Sequence, residues 1–134
     1  MKSALVVAFL FFAYASADTV DIYLEYTKDA QTACAKEMGL PEKTPRETFD
    51  TDVKTGVDGA TCLRACTMEK MGLLKDSTLV EEKMHDFVKM VHAKNPEMLS
   101  AVQKVTTECI ETVKPVTDKC KKAFSFAECF LSKQ

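Results

Sequence analysis

Residues 62–76 read CLRACTMEKMGLLKD, and this stretch decides the fold class. Cys62 and Cys66 stand four positions apart, a spacing that puts both side chains on one face of an α-helix. Their parallel Cβ vectors do not favour a relaxed bridge between them, so each thiol reaches a different partner. A helix carrying both is therefore expected to be tied to two other helices. The stretch also carries its own stop signal: after Met71, Gly72 takes the left-handed position and Leu73 packs back. Asp58-Gly59 is the expected cap at the other end.

Working outward, the same grammar repeats. Towards the N-terminus, Val20, Tyr23, Leu24, Ala30, Cys34 and Met38 recur near the 3.6 spacing of a first helix, which Gly39-Leu40-Pro41 ends. Thr44-Pro45-Arg46-Glu47 is a capping box with proline at the first helical position, opening a short second helix. Towards the C-terminus, Thr78 and Glu81 form another expected box. It opens a fourth helix through about His92, with the stripe Val80, Met84, Phe87, Val88 and Val91. Asn95-Pro96-Glu97 starts a fifth helix, carrying Met98, Ala101, Val102, Val105, Cys109 and Val113 on one side up to Pro115. Thr117 or Asp118 starts a sixth, through Cys120, Phe124, Ala127 and Cys129. No useful length of chain alternates strictly with β-branched enrichment, so the fold class is expected to be all-α.

The chain has 134 residues, one ordinary domain. Residues 1–17 read as a signal peptide: Lys2 is the positive n-region, residues 4–14 an apolar h-region, and Ala15-Ser16-Ala17 a small-residue cleavage site. The apolar run is too short to span a bilayer, and no later segment resembles a membrane span. The expected organisation is a leader over 1–17 and one helical domain over 18–134, secreted and extracellular. Loss of the leader takes the formal net charge from −2 to −3, because Lys2 is its one charged residue. Mild acidity argues against a nucleic-acid partner, which needs clustered Lys and Arg. The nearest basic cluster, Lys119, Lys121 and Lys122, is flanked by Asp118 and Glu128 and reads as a solvated face.

All six cysteines lie in the domain, and in a secreted chain they indicate a disulfide framework. Spacing alone does not choose the pairing. C-x3-C resembles half of a zinc site, but a closed site wants a second close pair, so no metal is expected. Catalytic signatures are also missing: there is no H-E-x-x-H, no G-x-S-x-G and no Gly-rich phosphate loop. His85 and His92, seven apart, fall about 20° apart around the helix axis. A metal or pH-sensing role for that pair competes with the simpler reading of two partly exposed histidines on a helix flank. His85-Asp86 is not a dyad, since adjacent helical residues diverge by about 100°. With every thiol in a bridge, no thiol nucleophile is left, so binding without turnover is expected and no cofactor is called for.

The signal peptide, the acidic six-helix pattern and six cysteines that include C-x3-C followed by C-x8-C resemble the insect odorant-binding proteins of the six-cysteine subclass. The likeness covers the whole domain, and residues 62–76 resemble the family's third helix and the turn after it. It implies bridges Cys34 to Cys66, Cys62 to Cys120 and Cys109 to Cys129. It also implies a compact six-helix bundle, with these interlocked disulfides enclosing an apolar cavity for small hydrophobic, often volatile, molecules. The implied partners are such a ligand and, for an olfactory role, a chemosensory receptor; the chain is expected as a monomer or weak homodimer.

Periodicity, not the family, supplies the candidate ligand contacts: Met68, Met71, Leu74, Met84, Phe87, Val88, Val91, Val102, Val105, Phe124 and Phe130. Methionine adapts to irregular space and to ligands of different shape. Tyr23, Tyr26, Thr106 and Ser125 are candidates to give a hydroxyl to a ligand oxygen. Some relatives carry a long tail that displaces ligand at low pH. Here only residues 130–134 follow Cys129, too few to form a helix alone, so no tail-insertion switch is expected, although Phe130 and Leu131 can wall the pocket. The competing class is a secreted helical signalling protein without cargo. That class would present a contiguous exposed apolar patch, whereas the outward faces here are dense in Lys, Glu and Asp.

Overall fold

The computed structural model describes residues 2–41, 43–58 and 62–133, with side chains from residue 20 onward. Six helices follow in order: α1 (Lys2–Glu37), α2 (Pro45–Thr55), α3 (Leu63–Lys70), α4 (Glu81–Val91), α5 (Pro96–Val113) and α6 (Lys119–Ser132). Between α3 and α4 lies a two-residue antiparallel ribbon, β1 (Leu74–Lys75) and β2 (Thr78–Leu79). The leader expected at residues 1–17 lies outside the residues whose side chains are described.

Helix ends follow the local chemistry of the sequence. Gly39 and Gly72 have φ of 67° and 76°, a region that costs glycine nothing because it has no Cβ. Behind them the Leu40 amide reaches the Ala35 carbonyl and the Leu73 amide the Met68 carbonyl, both at 2.9 Å. These bonds satisfy carbonyls that the helix leaves unpaired, and they turn each leucine back towards the protein. Thr44 Oγ1 accepts from the Glu47 amide at 3.2 Å and caps α2. Asp118 accepts from the amides of Cys120 and Lys121 at 2.9 and 3.0 Å and caps α6, which decides between Thr117 and Asp118 as its start.

Two expected helix starts are corrected. Asp58 does not cap the third helix: α3 begins at Leu63 with Cys62 in the cap position, Gly59 lies outside the described residues, and Asp58 pairs with Lys121 at 3.5 Å. Thr78 does not open the fourth helix either. It belongs to β2 opposite Lys75, and α4 starts from Val80 without a side-chain cap. The turn between the strands places Asp76 and Ser77 at φ of 50° and 63°. Lys122 on α6 donates to the Ser77 carbonyl at 2.8 Å and holds the turn. The ribbon wins because its register sets Leu74 against Leu79 and buries both, whereas a cap at Thr78 would contribute only about 1 kcal/mol.

Helix α3 is the hub. It packs on α1 and α6, while α5 packs on α4 and α6, and α2 lies against α1. Cys34 is bonded to Cys66, Cys62 to Cys120 and Cys109 to Cys129. These are the pairs the family resemblance implies. The first two tie α3 to α1 and to the start of α6, and the third ties α5 to α6. Cα separations of 5.9, 4.8 and 5.8 Å show that the packed helices already bring the cysteines within bridging reach.

Candidate ligand cavity

A cavity of about 80 Å³ lies among α1, α2, α3, α4 and α6. Its wall is built from short runs of helix. Tyr23, Leu24 and Thr27 come from α1, Phe49 from α2, and Arg64, Thr67 and Met68 from α3. Met71 and Leu73 follow from the turn, Met84, Phe87 and Val88 from α4, and Phe126, Ala127, Phe130 and Leu131 from α6. On α4 the three contacts stand at i, i+3 and i+4, one face of a helix. The aromatic rings touch one another: Tyr23 meets Phe130 edge-on at 5.0 Å between centroids and Phe87 at 5.9 Å, and Phe126 stacks on Phe130 at 5.6 Å.

Of the residues expected from periodicity, the structure brings Met68, Met71, Met84, Phe87, Val88 and Phe130 together in this wall. It places the others elsewhere. Leu74 and Val102 are buried in the solid core, Val91 and Val105 pack against that core half-buried, and Phe124 is buried away from the cavity. On the sixth helix Ala127, Phe130 and Leu131 line the cavity, and Phe126 lines it where Phe124 was the candidate. The methionines divide sharply, since Met68, Met71 and Met84 line the cavity while Met38, Met90 and Met98 are exposed. Apart from Tyr23, a hydroxyl candidate, the contacts from α1 and α2 escaped the expected apolar set, which was confined to helices three to six. Tyr23 and Leu24 were nevertheless visible in the apolar stripe of the first helix.

The hydroxyl candidates have other occupations. Thr106 is fully buried and donates to the Val102 carbonyl of its own helix at 2.8 Å. Tyr26 is exposed and Ser125 half-buried, and neither lines the cavity. Tyr23 does line it, but its hydroxyl shares a 2.7 Å hydrogen bond with His92 Nε2. His92 is therefore not on an exposed flank as expected; it caps the end of α4 and is buried beside the Tyr23 ring. Burial holds its imidazole below the usual histidine range and pushes the Tyr23 phenol upward, so both groups are neutral near pH 7. His85 is separate, in reach of Thr107 at 3.2 Å and Glu81 at 3.6 Å. Among the described residues no cluster of His, Cys, Asp or Glu has the make-up of a metal site, and no helix is long and apolar enough to cross a membrane.

A second, larger depression of about 1240 Å³ runs between α1 and α2. Charged and hydroxyl side chains such as Asp21, Lys28, Lys43, Thr44 and Arg46 edge it. Leu24, Leu40 and Leu63 line it too, so it is a mixed groove with a charged edge, and its size alone does not make it the ligand site.

The geometry defines a small helical protein with a disulfide-stapled, apolar cavity. The chain belongs to the PBP/GOBP family, whose model matches residues 16–133. It is similar to general odorant-binding protein 19d of Drosophila melanogaster, with 27% identity over 110 residues, 81% of this chain and 72% of that protein. The fold is also that of the solved odorant-binding protein dmelOBP28a from Drosophila melanogaster. There the TM-score is 0.52 at 21% identity, over 88% of this chain and 93% of the other.

Proposed function

We propose that this protein is a secreted carrier of small hydrophobic molecules such as odorants or pheromones. The observation that carries the proposal is the cavity at the meeting of five helices, walled by Met68, Met71, Met84, Phe87, Phe126 and Phe130, in a chain of the PBP/GOBP family. Burying an apolar molecule there removes about 25 cal/mol of unfavourable hydration per Å² from each surface. At about 80 Å³ the cavity is smaller than most ligand sites, so loading requires side chains to give way. Three of its wall residues are methionines, which repack at little cost. Secretion with removal of residues 1–17 fits the reading, because three bridges persist in an oxidising compartment.

The chain has no Trp, so the test uses a probe with its own emission. N-phenyl-1-naphthylamine titrated into purified protein is expected to brighten and saturate at one probe per chain. No saturable change over the micromolar range contradicts the carrier reading. A catalytic role has no support here: every cysteine lies in a bridge, and the buried histidine is paired with a tyrosine rather than with a nucleophile.

A further inference from the structure

Arg64 is the one charged side chain among the described residues of the cavity wall. It is 8% exposed. Among the described residues its guanidinium makes a single hydrogen bond, Nη1 to Gln31 Oε1 at 3.4 Å, and an ion pair of 3.6 Å to Asp52 Oδ2. Its Cζ lies 5.9 Å from the Phe49 ring centroid. Gln31 and Asp52 both edge the outer groove between α1 and α2, and neither lines the cavity. Arg64 therefore stands as a partition: its guanidinium is held from the groove side by two long contacts, and its side chain forms part of the apolar wall.

A guanidinium carries five N–H donors and no acceptor, so two contacts of this length leave it able to take a further acceptor. The other polar groups in the wall have spent theirs. Thr27 donates to the Tyr23 carbonyl at 3.1 Å, Thr67 to the Leu63 carbonyl at 2.8 Å, and the Tyr23 hydroxyl is engaged with His92. Among the described polar side chains of the wall, Arg64 alone is held only by contacts of 3.4 Å and 3.6 Å. Asp52 is a poor partner: its Oδ2 is buried without a hydrogen-bond partner, and burial pushes its carboxyl upward against the pull of Arg64 and Lys43.

We propose that Arg64 is the recognition group for a carboxylate head on the cargo, so that the cavity takes amphipathic, fatty-acid-like molecules with the tail against Met68, Met84, Phe87 and Phe130. The planar fork of arginine matches a carboxylate with two parallel bonds, strengthened where water is excluded. This inference rests on the carrier reading and adds the chemical class of the ligand.

The test is displacement of N-phenyl-1-naphthylamine from the purified protein by octanoate, octanol and octane, whose tails match in length. Octanoate is expected to displace the probe at a concentration at least about tenfold below that of octanol, as one charge-assisted bond provides. In Arg64→Met the ratio between octanoate and octanol is expected to fall to about one. Asp52→Asn, nearly isosteric, frees the guanidinium and is expected to raise the ratio, which keeps the proposal testable if Arg64→Met does not fold. Equal displacement by octanoate and octanol in the wild type, or a ratio unmoved in either variant, overturns the proposal while leaving the carrier intact. A wild type that fails to bind the probe overturns both.

Discussion

Tyr23 and His92 are separated by 69 positions, yet they meet at 2.7 Å because α1 and the end of α4 pack on one side of the cavity. The pair makes stability depend on pH with a definite sign. Burial lowers the folded-state pKa of His92 below its unfolded value near 6.5. Above that pH both states are neutral at this site and the linkage contributes nothing. Below it the unfolded imidazole takes up a proton first, so stability is lost as pH falls from about 6.5 through the lowered folded value. Denaturant melts at pH 7.5, 6.5 and 5.5 are expected to show this decline, and His92→Gln, which can still pair with the phenol, is expected to flatten it. An unchanged slope in the variant places the acid sensitivity elsewhere. The sequence made both residues visible, Tyr23 as a hydroxyl on an apolar stripe and His92 on a helix flank. Their pairing was not legible, because it depends on how two helices cross rather than on either helix alone.

At the scale of elements, capping chemistry was the most legible feature. Thr44-Pro45, Asn95-Pro96 and Asp118 begin the helices they were expected to begin. The failure at Thr78 is instructive: Thr-x-x-Glu is a permissive pattern, and the cross-strand meeting of Leu74 and Leu79 outweighs it. That ribbon leans on Lys122, whose ammonium holds the Ser77 carbonyl. Lys122→Met keeps the apolar stem but removes the donor, and is expected to cost about 1–3 kcal/mol in urea melts. Loop entropy grows with the residues enclosed, and Cys62–Cys120 spans 58 positions against 20 for Cys109–Cys129. Replacing both members of the longer bridge by serine is expected to destabilise by about 4 kcal/mol, roughly 1 more than for the shorter. The reverse order, measured by melts of the two double variants, contradicts the chain-entropy account.

For the whole molecule, the helical class was readable because three helix starts and two glycine stops are written locally. The wall of the cavity was only half readable. A stripe at 3.6 spacing says which side chains turn inward and not whether they meet solid core or open space. Val102 and Met84 read alike and are both buried in the core, but only Met84 lines the cavity. The three bridges fit that division of the interior, for they fix the helices around a region whose packing is incomplete and so contributes less than a filled core. Cargo is expected to occupy this incompletely packed region. Native mass spectrometry of the protein secreted from eukaryotic cells tests it most directly. The expected result is a disulfide-intact chain that carries one small lipophilic molecule, released on activation and recovered in an organic extract. A chain found only at its bare mass, which also takes up no added apolar ligand before measurement, contradicts the account.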